Sequence, residues 1–403
     1  MKYTVCIAGK NSIAIETMQY LLDNNFGRFE LLASCNRTET GMNSWQRSYR
    51  KFLEENNIRE ICLDELYEID NLVFLSTEYD RLIKTKKFKP GSRLYNIHFS
   101  CLPAYKGMYT SVFPILNGDK FTGVTLHEID DGIDTGNVIA QKLFQIDNST
   151  TCRELYLEYL KNGIELIKEN IEDIISGNYK AQPQKSYGST YYSKKTIDYS
   201  NLEIDVVQTA EMIGRQIRAF SFREYQMPEV DGRKIISYKI TKERSFEKSG
   251  TIVNENNRGM KIATVDYYMW LFYDRFVELL NACEQGNLDI ARDICLVKEH
   301  INQAETIHGW TPLMVSTYNN QIEIVKHLLI NGADVNVVNY NGTNLLMYAK
   351  EAFFKTNDST LLTLYLNRIS PYREDYSHHN LFYYINGSPM ASKIENIIKQ
   401  KCV

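Results

Sequence analysis

No apolar run in these 403 residues approaches the roughly 18 that a membrane-spanning helix needs. No block of like charge occurs, and the formal net charge is only −4. That argues against a dedicated nucleic-acid surface, so neither membrane nor nucleic acid is an expected partner. Histidine is scarce: before residue 274 only His98 and His127 occur. A histidine metal centre is therefore excluded there, and no metal is expected. The eight cysteines (Cys6, Cys35, Cys62, Cys101, Cys152, Cys283, Cys295 and Cys402) include no C-x-x-C pair and fit no zinc signature. Reduced, mostly buried thiols are expected. The N-terminus enters a strand pattern at once, without a signal peptide, and a cytoplasmic location is expected. Gly9-Lys10-Asn11-Ser12 lacks the three-glycine spacing of a dinucleotide fingerprint. Ser100 lies near His98 but has no nucleophile-elbow setting. Tyrosine, by contrast, is abundant at 28 copies, and its flat rings suit both cores and stacking surfaces.

The length predicts two or three domains. Residues 3–9, 29–35, 72–76 and 92–98 read as strands, alternating with helices over 13–24 and 45–56. Such alternation predicts an α/β fold with a mostly parallel Rossmann-like sheet, whose ligands bind at the carboxyl ends of the strands. Residues 122–129 read as an edge-like strand and 137–146 as another. Thr150 or Thr151 caps a helix running to about Ile175, ended by Gly177. The tyrosine-rich stretch 180–200 reads as a linker over a surface. Residues 201–270 read as a small α+β domain, with a helix over 206–219 and strands over 234–240 and 260–270. The expected division is 1–180, 181–273 and 274–403.

The densest chemistry lies in residues 96–136. Asn96-Ile-His98 ends a strand, Leu102-Pro103-Ala-Tyr105-Lys106-Gly107 follows, then His127, and then Asp131-Gly132-Ile-Asp134-Thr135-Gly136. An amide, an imidazole and a carboxylate so placed can move a one-carbon acyl group onto an amine. His98 is the natural proton acceptor, because histidine titrates near working pH. Asn96 offers an N–H pair to the developing oxyanion, a service worth on the order of 3 kcal/mol. Asp134 holds the His98 ring or a bridging water. His127 reads as a strand residue that shapes the site and not as a base.

The order Asn-x-His, Leu-Pro-x-Tyr-x-Gly, and His followed seven residues later by the Asp of Asp-Thr-Gly resembles the signature of folate-dependent formyltransferases. The resemblance covers residues 1 to about 240. It implies that Asn96, His98 and Asp134 are catalytic and that N10-formyltetrahydrofolate is the formyl donor. It also implies that Tyr79, Ile129, Asp130 and Asp131 lie beside the folate; for the two acids the alternative is a solvated turn. Ile217-Arg-Ala-Phe-Ser-Phe222-Arg-Glu-Tyr225-Gln-Met-Pro228 resembles the segment that follows the catalytic domain in nucleotide-sugar N-formyltransferases. There Phe222 or Tyr225 would stack on the nucleotide base, against the alternative of a packed loop. Lys10, Arg81 and Lys106 are candidates for the diphosphate, against plain solvated charge, and Tyr105 is a further substrate candidate. Residues 201–270 lack the basic excess expected of an enzyme acting on initiator tRNA.

His308-Gly-Trp310-Thr-Pro-Leu-Met, Ile322 to Ile330 and Asn331-Gly-Ala-Asp-Val-Asn336 closely resemble an ankyrin repeat. Degenerate copies flank it at 279–295, from 341 and from 379. The ankyrin tail resembles the subgroup acting on dTDP-3-amino-3,6-dideoxyhexoses for bacterial surface polysaccharides. The resemblance thus implies a dTDP-amino sugar as acceptor, in the glucose form before the galactose form, and a homodimer with 201–270 as the contact. A 4-amino sugar is the rival acceptor, and a scaffold carrying a lapsed transferase domain is the rival to an enzyme. The tail would bind a protein or a second nucleotide sugar. Trp310, at a position normally variable and solvent-facing, would stack on that second ligand, against packing on the neighbouring domain.

Overall fold

The computed structural model describes residues 3–24, 27–200 and 202–401. Cys402 lies outside them. Among the described residues no helix is long and apolar enough to cross a membrane. The other seven cysteines are unpaired, five of them buried, with Cys62 exposed and Cys101 between.

The chain opens with β1 (Tyr3–Gly9), α1 (Asn11–Asn24), β2 (Phe29–Cys35), α2 (Tyr49–Glu55), β3 (Arg59–Glu60), α3 (Leu63–Leu66), β4 (Leu72–Thr77) and β5 (Arg93–His98). It continues with β6 (Lys106–Gly107), α4 (Phe113–Asn117), β7 (Phe121–Glu128), β8 (Val138–Gln145), α5 (Cys152–Ser176), β9 (Tyr191–Tyr192) and α6 (Ala210–Phe220). The main sheet has seven strands in the order β3-β2-β1-β4-β5-β7-β8. Pairing is parallel from β3 through β5, then antiparallel for β7 and β8. The mostly parallel sheet is as expected. The strand expected at an edge, β7, is instead internal, because β8 folds back along it. Six of its eight residues are buried.

One face of the sheet packs under α1, α2 and α5 through Ile7, Ile97, Tyr159 and Ile167, among others. The other face carries a smaller core with Cys6, Phe74 and Leu94. Helix α5 begins at a capping box in which Thr151 and Glu154 satisfy each other's backbone N–H, and it ends at left-handed Gly177. Helix α2 is shorter than expected. Ser48 caps it by accepting from Lys51 N, so Trp45 stands in the preceding loop. Gly9 tolerates no side chain, since a Cβ there would collide with the Thr77 carbonyl and hydroxyl. That lets the ends of β1 and β4 approach closely.

The chain divides into two compact units, residues 1–204 with 211–228, and residues 205–210 with 229–403. This division differs from the boundaries read from the sequence. Most of α6 packs with the first unit: its Arg215 donates to the Asn117 carbonyl. In the second unit, strands Glu229–Val230, Arg233–Arg244, Ile252–Asn256, Gly259–Ala263 and Tyr267–Tyr273 form an antiparallel sheet. The single strand expected over 260–270 is two strands. Thr264 and Asp266 make the turn between them, the Asp266 carboxylate accepting from Tyr267 N and Ala210 N. Helix pairs follow at 276–294, 312–330, 345–366 and 381–401. Their shared core includes Leu279, Leu313, Leu328, Leu346 and Leu362. Thr311 caps the second pair with Pro312 in the first turn, the role its sequence context predicts.

Candidate functional site

Strand β5 runs between parallel β4 and antiparallel β7. Asn96 and His98 are two residues apart and share one face, while Ile97 between them enters the core. Across the antiparallel pair Asn96 sits opposite His127. The loop after β7 then brings Asp134, in left-handed backbone at φ 52°, onto the same spot.

The Asp134 carboxylate is the hub. Its Oδ2 accepts from Gly107 N at 2.9 Å and lies 3.5 Å from His98 Nδ1. Its Oδ1 accepts from Asn96 Nδ2 at 3.3 Å and lies 3.6 Å from His127 Nε2. Burial opposes its ionisation, but His98, His127 and the Gly107 N–H prevail and hold it well below the usual carboxylate range. His98 Nε2 is 2.8 Å from the Tyr105 carbonyl, which can only accept, so Nε2 carries the proton. The basic atom of neutral His98 is therefore Nδ1, facing Asp134. Burial lowers the His98 pKa below the ordinary 6.5, and Asp134 and the Tyr105 carbonyl only partly offset it. The imidazole is thus neutral near pH 7 and able to accept a proton.

The structure gathers Asn96, His98 and Asp134, with one correction to the expected role of Asn96. Its N–H pair is not free. One N–H reaches Asp134 and the other reaches His127 Nε2 at 3.1 Å, an acceptor because His127 Nδ1 donates to the Glu128 carbonyl at 2.7 Å. An oxyanion would have to draw an N–H away from one of these. His127 was read only as shaping the site, yet it is bonded directly into it.

A cavity of about 150 Å³ opens from Asn96, His127 and Asp134 towards Tyr79, Ile129 and Asp130. Arg81 lines it too, and its Nε is buried without a hydrogen-bond partner. Arg81 was expected at a diphosphate; the geometry sets it on the side expected for the folate. Asp131 turns away, bonded to Thr85 and paired with Lys86 at 3.0 Å.

A second group of rings surrounds Tyr156 of α5. Trp45 lies 5.6 Å from Tyr156, 5.3 Å from Phe222 and 5.8 Å from Tyr225 between centroids. Phe222 is buried in the core and cannot offer a face, whereas Tyr225 is 58% exposed. Trp45 belongs to this nest and was missed, since it read as the start of a helix. Lys10 follows β1 and Lys106 reaches Ser189 Oγ at 3.2 Å. Tyr105 was expected to meet substrate, but its hydroxyl is spent on Asp119 and on Asn117 Nδ2, and its service to the site is the carbonyl that fixes His98.

The stretch expected as a surface linker is a strap. Gln182 and Val138 exchange two 2.8 Å bonds, and β9 pairs with β6. Gln184 Nε2 donates to the carbonyls of Asp134 and Gly136, both at 2.8 Å. No short sequence motif signals this contact across 50 residues. In the second unit, Trp310 is half-buried among His308, Tyr318 and Tyr348, with centroids 5.5, 6.2 and 6.1 Å away.

Residues 50–171 match the Formyl transferase family, and residues 279–367 match Ankyrin repeats (3 copies). An N-formyltransferase from Helicobacter canadensis, solved with folinic acid and dTDP-3-aminofucose, is 39% identical. The match covers 67% of this chain and 99% of that one, at a TM-score of 0.62. WlaRD, a sugar 3N-formyl transferase solved in the presence of dTDP and 5-N-formyl-THF, is 40% identical over 68% of this chain and 98% of its own, at a TM-score of 0.63. The methionyl-tRNA formyltransferase of Finegoldia magna is 25% identical over 324 residues, 77% of this chain and 97% of that protein. Fold and site together define an N-formyltransferase that carries ankyrin repeats. The chain belongs to the formyl transferase family, alongside the sugar N-formyltransferases.

Two outcomes are expected. The acid limb of kcat/KM will titrate below pH 6.5, because protonating His98 removes the base and burial lowers its pKa; a limb above pH 7 would contradict this. Gln184→Ala will release Asp134, lower kcat about tenfold and move that limb to lower pH, since Asp134 raises the His98 pKa. A pH profile superimposable on that of the unaltered protein would show that Gln184 does not position Asp134.

Proposed function

We propose that the protein transfers a formyl group from N10-formyltetrahydrofolate to the 3-amino group of a dTDP-3-amino-3,6-dideoxyhexose, as a cytoplasmic step in surface polysaccharide synthesis. The observation that carries this is the gathering of Asn96, His98 and Asp134 at one point, with Asn96 and Asp134 lining the cavity that Tyr79 and Asp130 share. The relatives solved with dTDP or dTDP-3-aminofucose, and with formylated folates, support it. The donor supplies a formyl carbonyl that an amine can attack. The cavity suits a flat ring with polar edges: Tyr79 and Ile129 give apolar walls, Asp130 an acceptor, and the unpartnered Arg81 Nε a donor.

His98 takes the proton from the attacking amine at Nδ1. The resulting imidazolium lies beside the Asp134 carboxylate, which is ionised throughout the neutral range and stabilises it. His98 then gives that proton to the departing N10 as the tetrahedral intermediate collapses and the formyl C–N10 bond breaks, leaving tetrahydrofolate and the formylated amine. Asn96 Nδ2, already bonded to Asp134, exchanges that bond for the developing oxyanion. On the acceptor side, Tyr225 presents the exposed ring that a nucleobase would cover. The glucose-configured sugar is the first choice. The Helicobacter canadensis relative was solved with dTDP-3-aminofucose, whose sugar is galactose-configured, so both epimers belong in the assay. A homodimer remains part of the proposal.

A second ligand at Trp310 is favoured by its setting. Its partly open ring adjoins Tyr318, over which the Lys355 ammonium sits at 3.2 Å. Aromatic faces beside a cation suit a nucleobase with a phosphate.

Incubation with the 3-amino and 4-amino dTDP sugars and the folate donor will formylate the 3-amino compounds; a preference for the 4-amino sugar would overturn the acceptor assignment. His98→Asn and Asp134→Asn will each lower turnover by orders of magnitude with the melting transition retained. Near-normal turnover in either would remove that residue from the chemistry. Trp310→Ala will change the curve of rate against sugar concentration, and an unaltered curve would exclude a second site there.

A further inference from the structure

Glu78 follows the last residue of β4 and takes no part in the proton transfer described above. Its backbone is left-handed at φ 63°. The turn is clamped by Asn36, whose Nδ2 donates to the Glu78 carbonyl at 2.9 Å and whose Oδ1 accepts from Asp80 N at 3.2 Å. The strained turn aims the side chain inward. Tyr156 hydroxyl donates to Glu78 Oε2 at 2.8 Å, and that hydroxyl in turn accepts from Gln46 Nε2 at 3.0 Å. Oε1 receives no hydrogen bond among the described residues, and it is not sealed from solvent. Burial raises the Glu78 pKa, with the Lys10 ammonium and the Tyr156 hydroxyl opposing the rise.

Register sets the neighbourhood of this residue. Thr77 pairs with Ile97 in the parallel β4–β5 ladder, so Glu78 and His98 each follow directly on that last pair. Neighbouring strands are roughly 4.8 Å apart. The carboxylate is bonded to the Tyr156 hydroxyl of the ring nest, and its residue directly follows the strand that pairs alongside the one bearing the proton-accepting imidazole. A carboxylate repels a diphosphate. Glu78 is also absent from the lining of the cavity that holds Tyr79 and Asp130, which separates it from the donor's ring. The exposed ring of Tyr225, where a base would stack, marks the outer part of the nest. What remains for Glu78 is a neutral, hydroxyl-bearing group close to the reacting nitrogen.

We propose that Glu78 anchors the hexose of the nucleotide sugar, its Oε1 accepting a hydrogen bond from a ring hydroxyl adjacent to the amine. This rests on reading the chain as a nucleotide-sugar N-formyltransferase. It makes Glu78 a determinant of which nitrogen reaches His98. Covered by bound substrate, this acceptor would be left unpaired by an analogue that lacks the hydroxyl, which penalises that analogue.

The full-length chain with Glu78→Ala and with Glu78→Gln tests this. The amide is close in shape and retains an oxygen for the Tyr156 hydroxyl, but its nitrogen cannot accept from the sugar. In both variants the KM for the amino sugar will rise at least tenfold, as loss of a hydrogen bond to a charged group implies. KM for the folate donor and the calorimetric affinity for dTDP alone will stay within about twofold, a margin set by the absence of any direct contact. A substrate analogue deoxygenated beside the amine will lose a similar factor against the unaltered protein and little against Glu78→Ala. Loss of dTDP affinity equal to the loss for the amino sugar would overturn the proposal, as would an unchanged sugar KM or an analogue penalty that persists in Glu78→Ala. Failure of the unaltered protein to formylate any amino sugar would sink the broader reading instead.

Discussion

The site depends on keeping one carboxylate charged where few waters reach it. Asp134 is buried and still ionised because four groups converge on it: the Gly107 N–H, the Asn96 amide and two imidazoles. Removing either donor, the Gly107 N–H or the Asn96 amide, strips support from a charge that burial disfavours. The same carboxylate sets the electrostatic balance of His98. Burial alone would push that imidazole further towards neutrality, and Asp134 holds it within reach of protonation. The pair therefore suits a proton that must arrive and leave within one turnover, which neither residue could manage alone.

The sheet supplies that convergence. Changing from parallel to antiparallel pairing at β5 gives its end two different neighbours: β4 delivers Ser76 and Glu78 from one side, and β7 delivers His127 from the other. Because pleating alternates, Asn96 and His98 both face the site while Ile97 fastens the strand to the core. The loops then need little freedom. Residues 102–108 and 131–136 are joined through Gly107 and Asp134, and the strap at 182–192 bonds to both. Left-handed residues such as Tyr105 and Asp134 persist because these bonds over-determine the backbone.

What the sequence made legible was local. Asn96 and His98 are two residues apart, Asp134 sits in a glycine-bearing loop, and the repeat signatures lie in contiguous stretches. The sheet followed from alternating patterns, and Thr151, Gly177 and Thr311 marked helix ends correctly. What escaped depends on partners far along the chain. His127 looked like an ordinary strand residue because only the β5–β7 register sets it against Asn96. Gln184 and Trp45 acquire meaning from contacts 50 and 111 positions away, to Asp134 and Tyr156. Phe222 and Tyr105 were read by residue type; burial of the one ring and the prior hydrogen bonds of the other's hydroxyl escaped that reading. The strand break near Thr264 likewise needed Asp266, whose carboxylate serves Ala210 from another segment.

The ankyrin repeats raise a different physical problem, that of an exposed end. A repeat stack buries each apolar face against the next, so its first unit needs a cover. Here the antiparallel sheet stands ahead of the first helix pair and is joined to it by polar groups. Asp293, on the second helix of that pair, accepts from Arg275 at 2.6 Å, Arg258 Nε at 2.8 Å and Asn257 at 3.1 Å. Buried His300 accepts from Arg275 N at 3.0 Å and donates from Nδ1 to the Val297 carbonyl at 3.1 Å, so both ring nitrogens are satisfied. Three donors on one carboxylate fix an orientation more firmly than a single surface ion pair, which contributes little by itself. The strands at 252–273 thus do for the array what a polar capping repeat does elsewhere, and they form one compact unit with the repeats.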